Sequence, residues 1–528
     1  MKIKTFILCI LLSAKFCWAQ CTLTAINGDY VVSSSIILSG TYSVSGRFII
    51  PSGVTVFVNK YANNTCGKLE INAKTVIVNG TIDANDAGQL GGIGGVGGSS
   101  VTSLTGDQVS LTSCNNKDNT GQITLEGGKA GLNGFGTGAG LSGANGGNGS
   151  GPKQQCLSNN DEAGMIGSAG GGGGGSGGSY GGKGSSGGAG GNGTNSYTAT
   201  GVNVSTGYAV VQGSGGAGAI TGNTYGTAGS NDIDLGSGGG GAGGGARSFN
   251  TGSNGAKGGN GGGLIKISAQ DTLIISGSIL VNGSNGGNGG SGGNGNVTAK
   301  CCSDGCDDCG EATLSCGAGS GAGSGGGSGG GILLECYNFI NINGSLNAKG
   351  GNGGLGGQAG TGITCNYSAL LCGTQTLKSG DGAAGNSGGA GGGGRIKIFA
   401  ASCQGNTISP VTNVTGGTGF ANGLPGTYSL ICNFNTSLSE YTKYHELSIF
   451  PNPTNDFLNI QFKYPQYLND HSGKIIVLDI NGKEVFVTDC LLSKDDFQVI
   501  NLSHLNNGVY FLKLISSDVT VMQKLIKK

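Results

Sequence analysis

Residues 263–283 read GLIKISAQDTLIISGSILVNG, and the phase of their apolar side chains decides the fold. Ile265, Ile267, Leu273, Ile275, Ile279 and Val281 share one face, and apart from Ile274 and Leu280 the residues between them are polar or small. Apolar residues at every second position mark a half-buried strand. The stretch therefore reads as strand, short turn, strand, glycine, short strand. An earlier copy, GKLEINAKTVIVNGTIDAN, opens at Gly67 and puts Leu69, Ile71, Val76, Val78, Ile82 and Ala84 in the same places. It is one residue shorter near the position of Asp271. A later copy, GILLECYNFININGSLNAKG, opens at Gly331 and keeps Ile340, Ile342, Leu346 and Ala348. Aligned rigidly, that copy would put Glu335 inside. Its first strand is read as shifted by one residue, with Ile332, Leu334 and Cys336 inward. A truncated fourth copy, GRIKIFA, begins at Gly394.

One such unit cannot bury its own apolar face, whereas stacked units can, and that is the logic of a β-solenoid. The expected fold is all-β, with parallel β-helix rungs, glycine-rich insertions of polyglycine-II type and a small β-sandwich at the end. Residues 22–60 alternate Val, Ile, Tyr and Phe with Ser and Thr and supply the strands of an N-terminal cap. The spacing between copies is irregular, and the extra length is nearly all glycine-rich.

That glycine needs its own reading, since 118 of 528 residues are Gly and only 7 are Pro. Collagen requires a Pro-rich Gly-X-Y period and is excluded. GGIGGVGG, GGNGGSGGNGN and GGNGGLGG follow the three copies directly. With three residues per turn, extended geometry puts every X of Gly-Gly-X on one edge and leaves glycine edges for close backbone approach. The opposing reading is a slack linker. A linker joins two domains once, while these runs recur between rungs and cysteines, so ordered loops or bundles are favoured.

The 28 basic and 28 acidic residues balance, which argues against a general electrostatic grip on nucleic acid or an anionic membrane. MKIKTFILCILLSAKFCWAQC has a basic start, an apolar core and Ala19 before the expected cut, so residues 1–19 read as a secretory signal peptide. No later apolar run is long enough for a transmembrane helix. Cys9 and Cys17 leave with that peptide, fourteen cysteines lie between Cys21 and Cys432, and Cys490 is the last. An even set in an exported chain reads as disulfides. Nearest-neighbour pairs are Cys21 with Cys66, Cys114 with Cys156, Cys365 with Cys372, and Cys403 with Cys432, though sequence leaves the connectivity open.

From about residue 445 glycine falls, and short alternating strands return in IFPNPTNDFLNI (449–460), LDINGKEV (478–485), NGVYFLKL (507–514) and the basic end KLIKK. Phe450, Leu458, Ile460 and Phe462 alternate, and Asn-Gly pairs at 481 and 507 mark turns. The segment resembles the type A C-terminal sorting domain of type IX secretion substrates in Bacteroidetes. The resemblance implies passage of the inner membrane by the signal peptide and of the outer membrane by the tail, with the type IX machinery as partner. It also implies removal of the tail, Cys490 included, and a passenger released or held on surface polysaccharide. The passenger resembles the glycine-rich β-solenoid surface proteins of the same group. The expected organisation is a signal peptide (1–19), cap strands (20–66), a glycine-rich solenoid (67–440) and a sorting domain (441–528).

Candidate sites are few. CCSDGCDDCGEATLSC (301–316) gathers Asp304, Asp307, Asp308 and Glu311, hard oxygen ligands suited to Ca²⁺. The competing and favoured reading is a disulfide knot with solvated acids, so no cofactor is expected apart from that calcium. Glycoside hydrolysis needs two carboxylates in one cleft. Glu70 with Asp83, or Asp232 with Asp234, are the pairs available, and solvated rung faces explain them better. Glu70 is expected on the outward face of its strand, near Lys266. The passenger has no His, which removes a Ser-His-Asp or Cys-His centre. Tyr180, Tyr197, Tyr208 and Tyr225 lie in glycine-rich loops, where they would contact a ligand or pin the loops. Asp271-Thr272-Leu273 resembles the short O-glycosylation signal of exported Bacteroidetes proteins, with Thr272 as acceptor. The function expected is a secreted or surface-attached structural or adhesive protein rather than an enzyme, meeting surface polysaccharide or extracellular matrix through many weak contacts. The alternatives are a polysaccharide-degrading β-helix enzyme and, second, an ice-binding protein.

Overall fold

The computed structural model describes residues 21, 23–62, 66–103, 121–153, 162–200, 203–204, 210–300, 311–369, 373–432, 446–463, 471–492, 497–516 and 520–528. The chain forms two compact units, Met1–Asn433 and Phe434–Lys528. All regular elements among the described residues are strands. No described helix is long and apolar enough to cross a membrane.

Two parallel sheets organise the first unit. The larger runs in the order Leu23–Ile26, Gly40–Ile50, Lys68–Val78, Leu264–Ile275, Gly331–Cys336, Arg395–Ala400, Thr427–Cys432. The smaller stacks Ile36–Ile37, Thr55–Phe57, Thr81–Asp83, Ser278–Leu280, Ser345–Asn347 and Val411–Asn413. Each repeat copy thus gives strands to both sheets. Leu69, Ile265, Ile332 and Ile396 are register partners, as are Ile71, Ile267, Leu334 and Ile398. The third copy adopts the register shifted by one residue, and the ladder slips between Ala269 and Thr272, where the second copy carries its extra residue. Side chains from both sheets meet in one apolar core, from Val32 and Phe48 to Ile398 and Ala400. Burying aliphatic columns at roughly 1.5–3 kcal/mol per side chain is what ties the copies together.

The glycine runs are built differently. Gly92, Gly95 and Gly98 donate their N–H groups to the carbonyls of Gly239, Ala242 and Gly245 at 2.8–2.9 Å. On a second side Phe135, Leu132 and Lys129 donate to Leu90, Ile93 and Val96, and on a third Gly258, Gly255 and Gly252 donate to Gly92, Gly95 and Gly98. Bonding recurs every third residue and reaches several neighbours, unlike a pleated strand, which has only two edges. Segments 166–180, 236–246, 315–336 and 388–400 are buried throughout, and the last two run directly into parallel strands. A Cβ on Gly243 would lie 2.1 Å from the Gly172 carbonyl oxygen, and one on Gly321 2.0 Å from that of Gly243. Glycine is needed there for proximity. Buried serines take the sites that admit a side chain, as when Ser328 Oγ accepts from the Ser237 amide at 2.8 Å.

The second unit has a three-stranded sheet (Glu446–Phe450, Phe457–Lys463, Phe497–Asn501) and a four-stranded one (Glu484–Leu492, His471–Leu478, Gly508–Ser516, Thr520–Lys527), both antiparallel. Leu458, Ile460 and Ile500 from one meet Ile475, Val477, Leu512 and Leu514 from the other. One expectation fails here. Ile449, not Phe450, faces the core, because Ile449 pairs with Ile460 and leaves Phe450 outside at 42% exposure.

Candidate functional site

Two features outside the cores bring chemistry-bearing side chains together. The first is a face ruled by the glycine segments. Ile93 and Val96 stand 64% and 58% exposed, and Leu132 and Phe135 on the next segment stand 59% and 56% exposed. The two segments bond directly, Leu132 N–H to Ile93 carbonyl at 2.7 Å, so the apolar side chains form adjacent rows on a backbone scaffold. An asparagine ladder lies on other segments. The Oδ1 atoms of Asn282, Asn285, Asn288 and Asn294 accept the amides of Lys349, Asn352, Leu355 and Thr361 at 2.7–3.2 Å. Asn260 and Asn254 do the same for Gly91 and Gly97 at 2.9 Å. A glycine segment leaves every third amide off its backbone partners, and an asparagine on the neighbouring segment satisfies it. These Asn oxygens therefore hold segments together rather than waiting for a ligand. The signal was present in the sequence, as a three-residue recurrence in NGSNGGNGGSGGN that puts Asn at 282, 285, 288 and 294 and Ser at 291.

The second feature is a strap, residues 223–235, pinned over the outward face of the larger sheet. Ile233 lies against Gly331 and Leu235 against Gly67. Lys397, only 1% exposed, donates Nζ to the Ser230 carbonyl and to Asp232 Oδ1, each at 2.8 Å, and to the Asp232 carbonyl. Arg395 donates Nη2 to the carbonyls of Tyr225 and Gly226 at 2.8 and 3.0 Å, and its guanidinium lies 5.5 Å from the Tyr180 ring centre. The Tyr180 and Tyr225 rings sit 4.8 Å apart. Tyr180 Oη accepts the Asp234 amide at 2.8 Å. Burial opposes the charge on Asp232, but hydrogen bonds from Lys397 and Thr227 outweigh it and hold the carboxyl below its usual range. Asp234 moves the other way, raised by burial and then by the Asp232 charge. Burial pushes both tyrosine hydroxyls up. The chemistry of this cluster is retention of a loop: the cations bond backbone carbonyls, one carboxylate and the Thr427 hydroxyl.

The strap also corrects an expectation about the rungs. Their outward face was read as solvated, yet Glu335, Arg395 and Lys397 are 1–5% exposed. Glu335 accepts from Ser268 Oγ at 2.6 Å and lies 3.4 Å from Lys266 Nζ. Glu70 is the strand neighbour of Lys266 and itself pairs with Lys68 at 2.9 Å. Asp83 belongs to the other sheet and caps the Asn85 amide at 2.9 Å. Glu70 and Asp83 thus have separate structural partners, whereas Asp232 and Asp234 share the strap.

Disulfides join Cys21 to Cys66 and Cys403 to Cys432. Cys114, Cys156 and Cys372 lie outside the described residues, as does the side chain of Cys365. Cys316 and Cys336 are buried free thiols, against the expectation that passenger cysteines pair throughout. Burial raises the Cys316 thiol to about 11. Cys336 occupies the inward place that Ala269 takes in the neighbouring copy, so its sulfur acts as a small core side chain. Asp304, Asp307 and Asp308 lie outside the described residues, and Glu311 begins the strand Glu311–Ser315. Thr272 is half-buried within Leu264–Ile275, its hydroxyl 3.3 Å from Asp271 Oδ2. Tyr197 is 42% exposed and Tyr208 lies outside the described residues.

Residues 448–528 match the family described as the secretion system C-terminal sorting domain. No curated protein matches the chain. Among solved structures, the crystal structure of dimeric latent PorU from Porphyromonas gingivalis aligns at 14% identity over 20% of this chain and 11% of that one, with a TM-score of 0.14. A likeness that slight carries nothing to the passenger. The sorting domain marks the protein as a type IX export substrate, handled by that machinery and delivered to the cell surface or the extracellular space.

Proposed function

We propose that the exported protein is a non-catalytic structural and adhesive component, a β-solenoid whose turns extend into polyglycine-II strands that present rows of side chains to other surfaces. The observation that carries this reading is the ruled face. Ile93, Val96, Leu132 and Phe135 are exposed on segments whose backbones are bonded to neighbours at every third residue. In three-fold extended geometry successive row positions stand about 9 Å apart along the chain. Such a face orders side chains without a hydrophobic core beneath them, so little further entropy is lost when it meets a flat surface. Each contact is weak, and many engaged together give retention by effective concentration. Surface polysaccharide and extracellular matrix are the partners suited to it, and attachment of the passenger to the outer cell surface fits the same role.

The test is retention of the full chain on polysaccharide and alkyl-coated sensor surfaces of graded density. Retention should rise more steeply than linearly with density, and soluble monovalent sugar should fail to elute the protein. Replacing Ile93, Leu132 and Phe135 together by Ser should weaken retention on alkyl surfaces at least tenfold. Saturable one-to-one binding independent of density, or release of soluble saccharide from the surface, would refute the reading, and the latter would favour a polysaccharide-degrading enzyme.

A further inference from the structure

The inward apolar columns of the larger sheet end in half-buried Ile26 and Tyr30 at one end of the stack and in exposed side chains at the other. The smaller sheet's inward column ends in Ile36, 42% exposed, at the first of these ends. Leu69, Ile265, Ile332 and Ile396 are 0% exposed, and the next member of that column, Tyr428, is 39% exposed. Ile71, Ile267, Leu334 and Ile398 are likewise buried, and their successor Leu430 is 37% exposed. Both belong to Thr427–Cys432, which among the described residues pairs on one edge only, with Arg395–Ala400. Thr427 donates its N–H inward to Gly394 at 3.0 Å. Parallel pairing alternates, so the N–H and C=O groups of Tyr428 and Leu430 point to the open edge. Val411, at the end of the smaller sheet, is 68% exposed, and Phe420 and Leu424 on the final glycine segment are 54% and 56% exposed.

The opposite end is blunted. Its edge is broken into pieces of four, two and two residues, Leu23–Ile26, Tyr30–Val31 and Ile36–Ile37. Beneath them Val32, Leu38 and Phe48 are at most 4% exposed, and the Tyr30 ring lies 5.2 Å from Phe48 and 6.2 Å from Tyr42. Short strands are a standard defence against edge pairing. The Thr427–Cys432 edge lacks two of the usual defences, since TYSLIC carries no charge and no proline, and no described strand covers it.

We propose that this edge is an interface with a second copy of the same chain, the two Thr427–Cys432 strands pairing antiparallel about a two-fold axis and continuing the larger sheet across the dimer. A two-fold contact satisfies two identical six-residue edges at once and closes. Head-to-tail stacking would instead set an intact edge on a broken one. Tyr428 and Leu430 then close each other's open core columns, and dimerisation doubles the ruled faces one particle presents.

The experiment is sedimentation analysis of the full chain from about 1 to 100 μM, a range that spans typical two-fold contacts. Twice the chain mass is expected. Leu430→Pro removes an outward N–H and leaves the inward pairing intact, and Tyr428→Lys puts a charge on the edge. Each should weaken self-association at least tenfold without changing the far-ultraviolet dichroism. If one variant misfolds, the other carries the test. A monomer at every concentration, a dimer indifferent to the variant that folds, or an open-ended ladder of masses would overturn the proposal.

Discussion

Replacing Gly243 by alanine tests the glycine architecture at a close backbone-to-backbone contact. The new Cβ would sit 2.1 Å from the Gly172 carbonyl oxygen, against the 3.4–4 Å of ordinary contact. The segments must part by more than about 1 Å, and the neighbour is backbone with no rotamer to give. Three hydrogen bonds meet there: Gly243 to Ala322 at 3.0 Å, Ala322 to Gly172 at 3.0 Å, and Gly290 to Gly243 at 2.9 Å. Weakening them at about 1 kcal/mol each, with overpacking of about 1–3 kcal/mol, outweighs the roughly 0.4–1 kcal/mol gained by stiffening the unfolded chain. A net loss of about 3 kcal/mol is expected. Gly229 is the control, since nothing lies within 4 Å of its Cβ position and its φ is not in the left-handed region. Gly229→Ala should be neutral or slightly stabilising. Thermal and chemical unfolding of both variants measures the contrast. Equal effects, or a neutral Gly243→Ala, would refute the reasoning.

Lys397→Ala should free the strap. Asp232 is 43% exposed and can be rehydrated, so the loss is mainly the bonds to Ser230 and Asp232, about 2 kcal/mol. Limited proteolysis within 225–235 should accelerate roughly thirtyfold. Glu126 gives an acid limb. Burial opposes its charge, but Lys129 and the amides of Ser99 and Ser100 more than offset this and bring its pKa from 4.5 to about 2. A depressed carboxyl stabilises the fold above its unfolded pKa, so this contribution is complete above about 4.5 and fades as pH falls toward about 2. Glu126→Gln should flatten that limb in unfolding measured between pH 6 and 2.5. Cys403→Ser opens a disulfide spanning 29 residues at the end of the larger sheet. The chain-entropy account gives a loss of about 3–4 kcal/mol, and exchange of Thr427–Cys432 amides should rise first.

The parallel strands of the repeat copies were legible because their code is local and periodic. Ile265, Ile267, Leu273 and Ile275 alternate within one strand, and the shift that spares the core from Glu335 follows from phase alone. Phe450 was misread because Ile449 and Phe450 are adjacent apolar residues, and only pairing with Ile460 fixes which faces in. The strap was not legible. Lys397 is buried by partners 165 and 167 residues away in the chain, and Asp232 and Ser230 sit in a stretch with no periodicity to place it. The free thiols escaped for the opposite reason. An even cysteine count invites pairing, while Cys336 sits where a neighbouring copy has alanine. The asparagine ladder was visible as a three-residue recurrence, but its role depends on which amides the glycine segments leave unbonded.

Hydrogen exchange on the full chain with disulfides intact tests the central claim most directly. If the glycine segments are ordered by backbone bonding, amides in 166–180, 236–246 and 315–330 should be protected to the level of the Leu264–Ile275 strand. Exchange there at the rate of an unstructured chain, with the rung strands still protected, would show the glycine to be a spacer and would remove the ruled face on which the proposed function rests.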